Sequence, residues 1–322
     1  MMKIILIFWC GFFLVSSGNL FSQQLPQYSQ YMVNNFIMNP AVGGISSDID
    51  IKVGYRKQWV GFDGAPTTQF VSVNSAINKI NGRHYRIRRK RPHQGIGGYM
   101  IKDETGPLSK FGIYGNYAYH LPLSKKYYLS AGIFLGILQN RLDLNKVTLS
   151  NPNDPSVFAA AATKLSPDGA FGFWLYSERF FTGFSINQIF QTRMFSINEN
   201  NSIITSKLFN HYFFHIGYNI PYNEDWNIVP SVLYKSVRPV FLQFDLNLKV
   251  WYRKKIWGAV SYRLQDAISF VTGFTPNKKL EISYSYDLTT SKIQKYSSGV
   301  HEIILGFRIG EKDEIWCPEK FW

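Results

Sequence analysis

Residues 240–252 read VFLQFDLNLKVWY. One parity holds Val240, Leu242, Phe244, Leu246, Leu248, Val250 and Tyr252; the other holds Gln243, Asp245, Asn247 and Lys249, with Arg253 just beyond. A β-strand sends successive side chains to opposite faces, so this segment has one apolar and one polar face. The alternation returns at 280–287, where Leu280, Ile282, Tyr284 and Tyr286 oppose Glu281, Ser283, Ser285 and Asp287. It returns at 49–56, with Ile49, Ile51, Val53 and Tyr55 against Asp50, Lys52, Gly54 and Arg56, and at 211–220, with Tyr212, Phe214, Ile216, Tyr218 and Ile220 against His211, His215, Gly217 and Asn219. A soluble sandwich also alternates. The apolar faces here are aromatic-rich and about ten residues long, which matches tilted strands crossing a bilayer. The polar faces would then line a lumen.

Composition supports that class. Of 322 residues, 45% are hydrophobic, 17% aromatic and only 17% charged. Such a chain has ample apolar surface to offset its ordering entropy, which excludes disorder, and its composition excludes collagen and coiled coils. After residue 22 no run of about 18 apolar residues exists that could form a spanning helix. The one long apolar run, Ile4 to Val15, follows Lys3 and precedes Ser16, Ser17 and Gly18. It reads as a secretory signal, cleaved after Ser22, with Gly18 as the other small-residue site. Cys10 leaves with it, so Cys317 is the remaining thiol, and neither a disulfide framework nor a cysteine zinc site is available. The net charge of +14 would suggest nucleic acid in another compartment. For an exported chain the expected counterparts are anionic outer-membrane lipid or an acidic protein, and no nucleic acid.

About fourteen alternating segments, within limits of twelve to sixteen, begin near residues 48, 68, 94, 109, 126, 169, 180, 208, 226, 240, 256, 266, 279 and 300. The expectation is therefore an all-β transmembrane antiparallel barrel. With a periplasmic N-terminus, the long connections at 139–168, 188–207 and 290–299 fall on the outer side, and the short ones at 121–125, 177–179, 221–225 and 276–278 are periplasmic turns. The exception is 78–93, which is long, periplasmic in this count and basic. The expected division is a signal at 1–22, a plug-like segment at 23–47, the barrel at 48–309 and a tail at 310–322. A lumen of this size is poorly filled by wall side chains alone, which makes the N-terminal segment a plug candidate. Within it Asn39-Pro40 suits the start of a short helix.

Each candidate site has a plain reading beside a functional one. His211 and His215 share a lumen face about 13 Å apart, too far to chelate one metal in a straight strand; both serve better as lumenal hydrogen-bonding groups. His301 and Glu302 point to opposite faces. No Gly-x-Ser-x-Gly, His-Glu-x-x-His or Walker loop occurs, so no catalytic residues, cofactor or metal are expected, and an enzyme is the least supported class. The run Arg83, Arg86, Arg88, Arg89, Lys90 and Arg91 is either a solvated turn or a dock for an acidic periplasmic partner. Lumenal Asp50, Lys52, Arg56, Asp245, Lys249, Glu281, Asp287, Glu302 and Arg308 either select a permeant solute or form a pairing network that stiffens the wall. The stretch 61–66, GFDGAP, is a tight outer turn first, with Trp59, Phe62 and Pro66 as recognition candidates. In the long outer loops Phe158 and Phe195 are candidate apolar anchors.

Gln27-Tyr28-Ser29-Gln30-Tyr31-Met32, Asn35 and Asn39-Pro40-Ala41 with Gly44 resemble the opening of the PorP/SprF family of type IX secretion system membrane proteins. Tyr55-Arg56-Lys57-Gln58-Trp59, Gly64-Ala65-Pro66, Gly97-Gly98, Asp103, Gly106-Pro107, Pro167-Asp168, Pro230-Ser231, His301-Glu302 and Cys317-Pro318 extend the resemblance along the chain. It implies a non-enzymatic outer-membrane barrel of Gram-negative gliding and related bacteria. The implied work is secretion and surface anchoring of cargo such as adhesins. The implied partners are cargo with a C-terminal sorting domain and periplasmic lipoprotein or ring components. No catalytic residues carry over: Gln27, Tyr28, Gln30, Tyr31, Asn39 and Pro40 become plug or recognition candidates, and Trp59 with Pro66 marks the first outer loop. Phe321 and Trp322 depart from the pattern by extending past Cys317-Pro318. The competing reading, from another class, is a plugged channel or transporter for small or apolar solutes.

Overall fold

The computed structural model describes residues 25–46, 48–77, 92–143, 146, 163–199, 202–237, 241–277 and 279–310. In chain order its strands are β1 (Ile49–Lys57), β2 (Thr67–Ala76), β3 (His93–Thr105), β4 (Leu108–Pro122), β5 (Tyr128–Leu142), β6 (Lys164–Tyr176), β7 (Phe180–Asn187), β8 (Arg193–Glu199) and β9 (Ser202–Lys207). They continue with β10 (His211–Tyr218), β11 (Ile220–Pro221), β12 (Trp226–Val237), β13 (Phe241–Tyr252), β14 (Ile256–Arg263), β15 (Ala267–Asn277), β16 (Leu280–Thr289) and β17 (Val300–Ile309). Fourteen of these form a closed antiparallel barrel in which β1 pairs with β17, β7 with β10, and β10 with β12. β8 and β9 form a separate two-stranded sheet, and β11 is a two-residue rung on β12. Closure removes the free sheet edges, the condition for strands to cross hydrocarbon. No helix among the described residues is long and apolar enough to cross a membrane.

Burial follows parity. In β1, Lys52, Gly54 and Arg56 face the interior, while Val53 and Tyr55 are exposed on the outside. In β13, Asp245, Asn247 and Lys249 are buried while Leu242, Phe244, Leu246 and Leu248 are exposed. An outer surface of exposed aliphatic and aromatic side chains is what lipid contact requires. The long connections 143–163, 188–210 and 290–299 share one end of the barrel, here the loop end; the β4–β5, β6–β7 and β15–β16 turns lie at the other, the turn end.

Two departures from the sequence reading lie at the loop end. β5 runs on to Leu142 and β6 begins at Lys164 rather than near 169. Pro167-Asp168 reads as loop because proline lacks a ladder N–H and a carboxylate is costly to bury. Asp168 instead turns inward, accepting from the Tyr114 hydroxyl at 2.7 Å and from the Gly169 amide at 2.8 Å, and the ladder continues through Ile137↔Pro167 to Asn140↔Lys164. The second departure is the connection 188–207, expected as a plain loop, which contains the β8–β9 hairpin.

Candidate functional site

The chain's own N-terminal segment lies against the inward-facing side chains of the wall. From 29 to 46 every residue is buried except half-buried Met38 and Val42, and several of its polar groups bond to inward-facing groups of the wall. At the loop end, Arg263 donates to the Gln27 side-chain oxygen and to the Tyr28 carbonyl, both at 3.2 Å. Midway, Asn34 donates to the Ser72 hydroxyl at 3.0 Å. At the turn end, Ser130 donates to the Ala41 carbonyl at 2.6 Å, and His120 Nε2 donates to the Gly43 carbonyl at 2.8 Å. The segment thus descends from the loop end to the turn end, where β1 begins.

Its local structure follows from its residues. Asn35–Met38 form one helical turn and Pro40–Val42 a 3₁₀ turn. Asn39 is extended, and its side-chain oxygen accepts from the Ala41 amide at 3.0 Å, with Pro40 in the first helical position where no amide is needed. The same side chain donates to the Phe173 and Phe184 carbonyls at 3.0 and 3.2 Å. Glycines in the wall make this contact close: a Cβ on Gly132 would stand 2.4 Å from the Pro40 carbonyl oxygen, and one on Gly172 would stand 2.1 Å from the Asn39 side-chain oxygen.

Every lumenal charge singled out from the sequence faces the interior, and most are paired. Arg56, 1% exposed, reaches Glu302 at 2.8 Å and Asp287 at 3.1 Å and also donates to the Ser29 hydroxyl, which donates to Asp287. The Ser29 amide and the Gln30 side chain add bonds of 2.9 Å to the Glu302 carboxylate and carbonyl. Lys52 pairs with Asp50, Arg308 lies 3.8 Å from Asp50 and 3.7 Å from Glu281, and Arg263 lies 3.2 Å from Asp245. Lys249 lies 4.0 Å from the Trp257 ring centroid and 4.8 Å from that of Trp251.

The opposite wall is aromatic. Tyr31 meets His215 edge-on at 5.4 Å, and His215 is also edge-on to Phe181 and Trp174 at 5.1 and 5.6 Å. His211 donates through Nδ1 to the Phe209 carbonyl at 3.0 Å, so the two histidines are separately engaged. Among the described residues no group of three or more His, Cys, Asp or Glu side chains is placed to hold a metal.

The outer-turn candidates lie at the loop end and do not form one patch. Trp59 is half-buried with a φ of 46°, Phe62 is exposed and Pro66 is buried. Their turn uses Gly61 and Gly64 at φ of 98° and 72°, conformations that favour glycine. It is tied to its neighbours by Val60 N–H to the Gly299 carbonyl at 3.0 Å and by Gly106 N–H to the Gly64 carbonyl at 2.8 Å. Phe195 lies on β8, of which the backbone alone is described, and Phe158 with Arg83, Arg86, Arg88, Arg89, Lys90 and Arg91 lies outside the described residues. Sequence reasoning missed Arg263, Ser130 and His120. Arg263 shares the inward parity of Trp257, Ala259 and Ser261, a signal open to reading, whereas nothing local marks Ser130 or His120.

The family model for the type IX secretion system membrane protein PorP/SprF matches residues 20–307. No curated protein sequence matches the chain. Among solved structures, the CymD monoaromatic hydrocarbon channel is similar with a TM-score of 0.54 at 10% identity, over 87% of this chain and 93% of that one. The toluene transporter TodX of Pseudomonas putida gives a TM-score of 0.45 at 8% identity, over 88% and 94%.

Proposed function

Because the chain belongs to the type IX secretion system membrane protein family PorP/SprF and folds as an outer-membrane β-barrel, we propose that it is a non-enzymatic component supporting secretion and surface anchoring of cargo such as gliding-related adhesins. Its signal segment at 1–22 directs export. The loop-end connections hold cargo bearing a C-terminal sorting domain, and the basic connection at the turn end meets acidic periplasmic lipoprotein or ring components. The observation that carries this reading is the bonding of residues 28–46 to inward-facing groups of the wall, through Arg56 and Arg263 near the loop end and His120 and Ser130 near the turn end. A lumen so lined suits binding better than free diffusion.

Deleting 188–207 is expected to abolish surface retention of cargo while the barrel still folds, measured by whole-cell labelling of cargo and by the heat-modifiable gel mobility of the barrel. Normal retention would remove that connection from the proposal. Purified protein in a planar bilayer is expected to be silent; a steady open-pore current would favour the plugged channel for small or apolar solutes.

A further inference from the structure

On the outer face of the barrel, β1 to β5 change character toward the loop end. In the middle of these strands the outward residues Val53, Val71, Met100, Ile113 and Ile137 are successive ladder partners, and all are exposed, as hydrocarbon contact requires. Four residues further along each strand, about 13 Å nearer the loop end, the same outward parity holds Lys57, Thr67, Glu104, Ser109 and Arg141. These five are again partners in succession: Lys57↔Thr67, Thr67↔Glu104, Glu104↔Ser109 and Ser109↔Arg141. Lys102 lies between the two rows on β3, on the same face and exposed.

The change is confined to one side of the barrel. Toward the loop end of β13, β14 and β16, the outward residues Leu242, Leu264 and Leu288 are apolar and exposed. Strand length gives the physical reason. β3, β4 and β5 run for 13, 15 and 15 residues, whereas β7, β10 and β14 each have 8. The long strands carry this side of the wall past the hydrocarbon and into the headgroup layer.

Within the arc, Lys102 pairs with Glu104 at 2.8 Å, both about half exposed. Lys57 and Arg141 are exposed and form no ion pair among the described residues. Lys57, Lys102 and Arg141 stand on alternate strands, β1, β3 and β5, so their backbones are spaced by about 10 Å around the wall. Glu104 is the carboxylate set among these three cations. A soluble anion would use the cations and leave the apolar row below them in lipid. An amphiphile with an anionic headgroup engages both. An arc of about 20 Å is wider than one phosphate and suits a headgroup of linked sugars bearing phosphate.

We propose that this arc binds the phosphorylated sugar headgroup of an outer-leaflet glycolipid. Its phosphates lie on Lys57, Lys102 and Arg141, its hydroxyls bond to Thr67 and Ser109, and its acyl chains run down over Met100, Ile113 and Ile137. The site does not depend on cargo handling; it rests on the loop end facing outward, as long connections do in such barrels.

The test uses the full chain in a mild non-ionic detergent, with fluorescent lipid A as the probe, either phosphorylated or stripped of its phosphates. The phosphorylated form is expected to bind saturably and the stripped form at least about tenfold more weakly, through loss of charge-assisted bonds. A double variant, Lys57→Gln with Arg141→Gln, is expected to bind phosphorylated lipid A about tenfold more weakly while keeping its heat-modifiable gel migration. Lys126→Gln with Lys279→Gln removes the same charge at the turn end and is expected to bind like the unaltered chain. Equal binding of the two lipids overturns the proposal, as does full affinity in the arc variant. An equal loss in the turn-end variant overturns it too, by reducing the effect to net charge. Phosphatidylglycerol bound as tightly as lipid A overturns the assignment to a glycolipid.

Discussion

Between β13 and β1 the inner wall is built from charges, whereas between β3 and β10 it is built mostly from aromatic rings and glycines. Arg56, Asp287 and Glu302 hold the start of the N-terminal segment through its Ser29 hydroxyl and amide. Asn39, Pro40 and Ala41 are instead received by carbonyls, Ser130 and the bare backbone of Gly132 and Gly172. The two halves solve one problem with different physics. Buried ion pairs roughly offset their own desolvation, so they orient the segment more than they stabilise it. Close packing on glycine works by dispersion and direct hydrogen bonds and tolerates no added volume. One half is therefore sensitive to loss of charge and the other to gain of size.

Breaking the charged half carries the largest expected effect. Arg56→Met leaves Asp287 and Glu302 buried without their cation, and the expected loss is about 3–5 kcal/mol, read from urea unfolding of the barrel in detergent. A loss no greater than that of an exposed substitution would mean that Ser29 and neighbouring groups carry the carboxylates unaided. Gly132→Leu attacks the other half without touching a charge. Overpacking costs about 1–3 kcal/mol, and the segment near Pro40 should become open to limited proteolysis while the residues near Ser29 stay protected. Uniform protection would show that the wall yields there.

Asn39→Ala is milder and sharpens the same contrast. It removes the 3₁₀ cap and two bonds to wall carbonyls, at an expected cost of about 1–2 kcal/mol, read from the same unfolding curve. The smallest effect is expected outside the lumen. Arg253 and Asp225 form a pair in the turns at 3.1 Å, both substantially exposed, and the bond to Asp225 raises the Arg253 pKa further above neutrality. Arg253→Gln should leave unfolding unchanged across pH 6–8, since screening by water leaves such a pair little to contribute. A measurable loss would extend the role of charge beyond the lumen.

The halves were not equally legible. Charged residues stand out against an apolar alternation, so Asp50, Lys52, Arg56, Asp245, Lys249, Glu281, Asp287, Glu302 and Arg308 could be assigned to the lumen by parity alone. The aromatic half gave no such contrast, because rings face both ways. In β6, Phe173 is exposed to the outside while Trp174, the next residue, is buried inside. Ser130 and His120 are ordinary residues until Ala41 and Gly43 lie against them. Asp168 reads as a loop residue until Tyr114 reaches it from two strands away.

Alternation, turn spacing and an aromatic outer face determined the class, the strand count and the side of each lumenal charge, because the direction of a strand side chain is set within two residues of chain. What the charges and rings do together was decided by closure of the sheet. Arg56 is 231 residues from Asp287 and 246 from Glu302, and they converge because β1 pairs with β17, itself paired with β16. The course of the N-terminal segment from one end of the lumen to the other is likewise a property of the closed barrel, since its partners are drawn from strands on all sides and no local pattern brings them together.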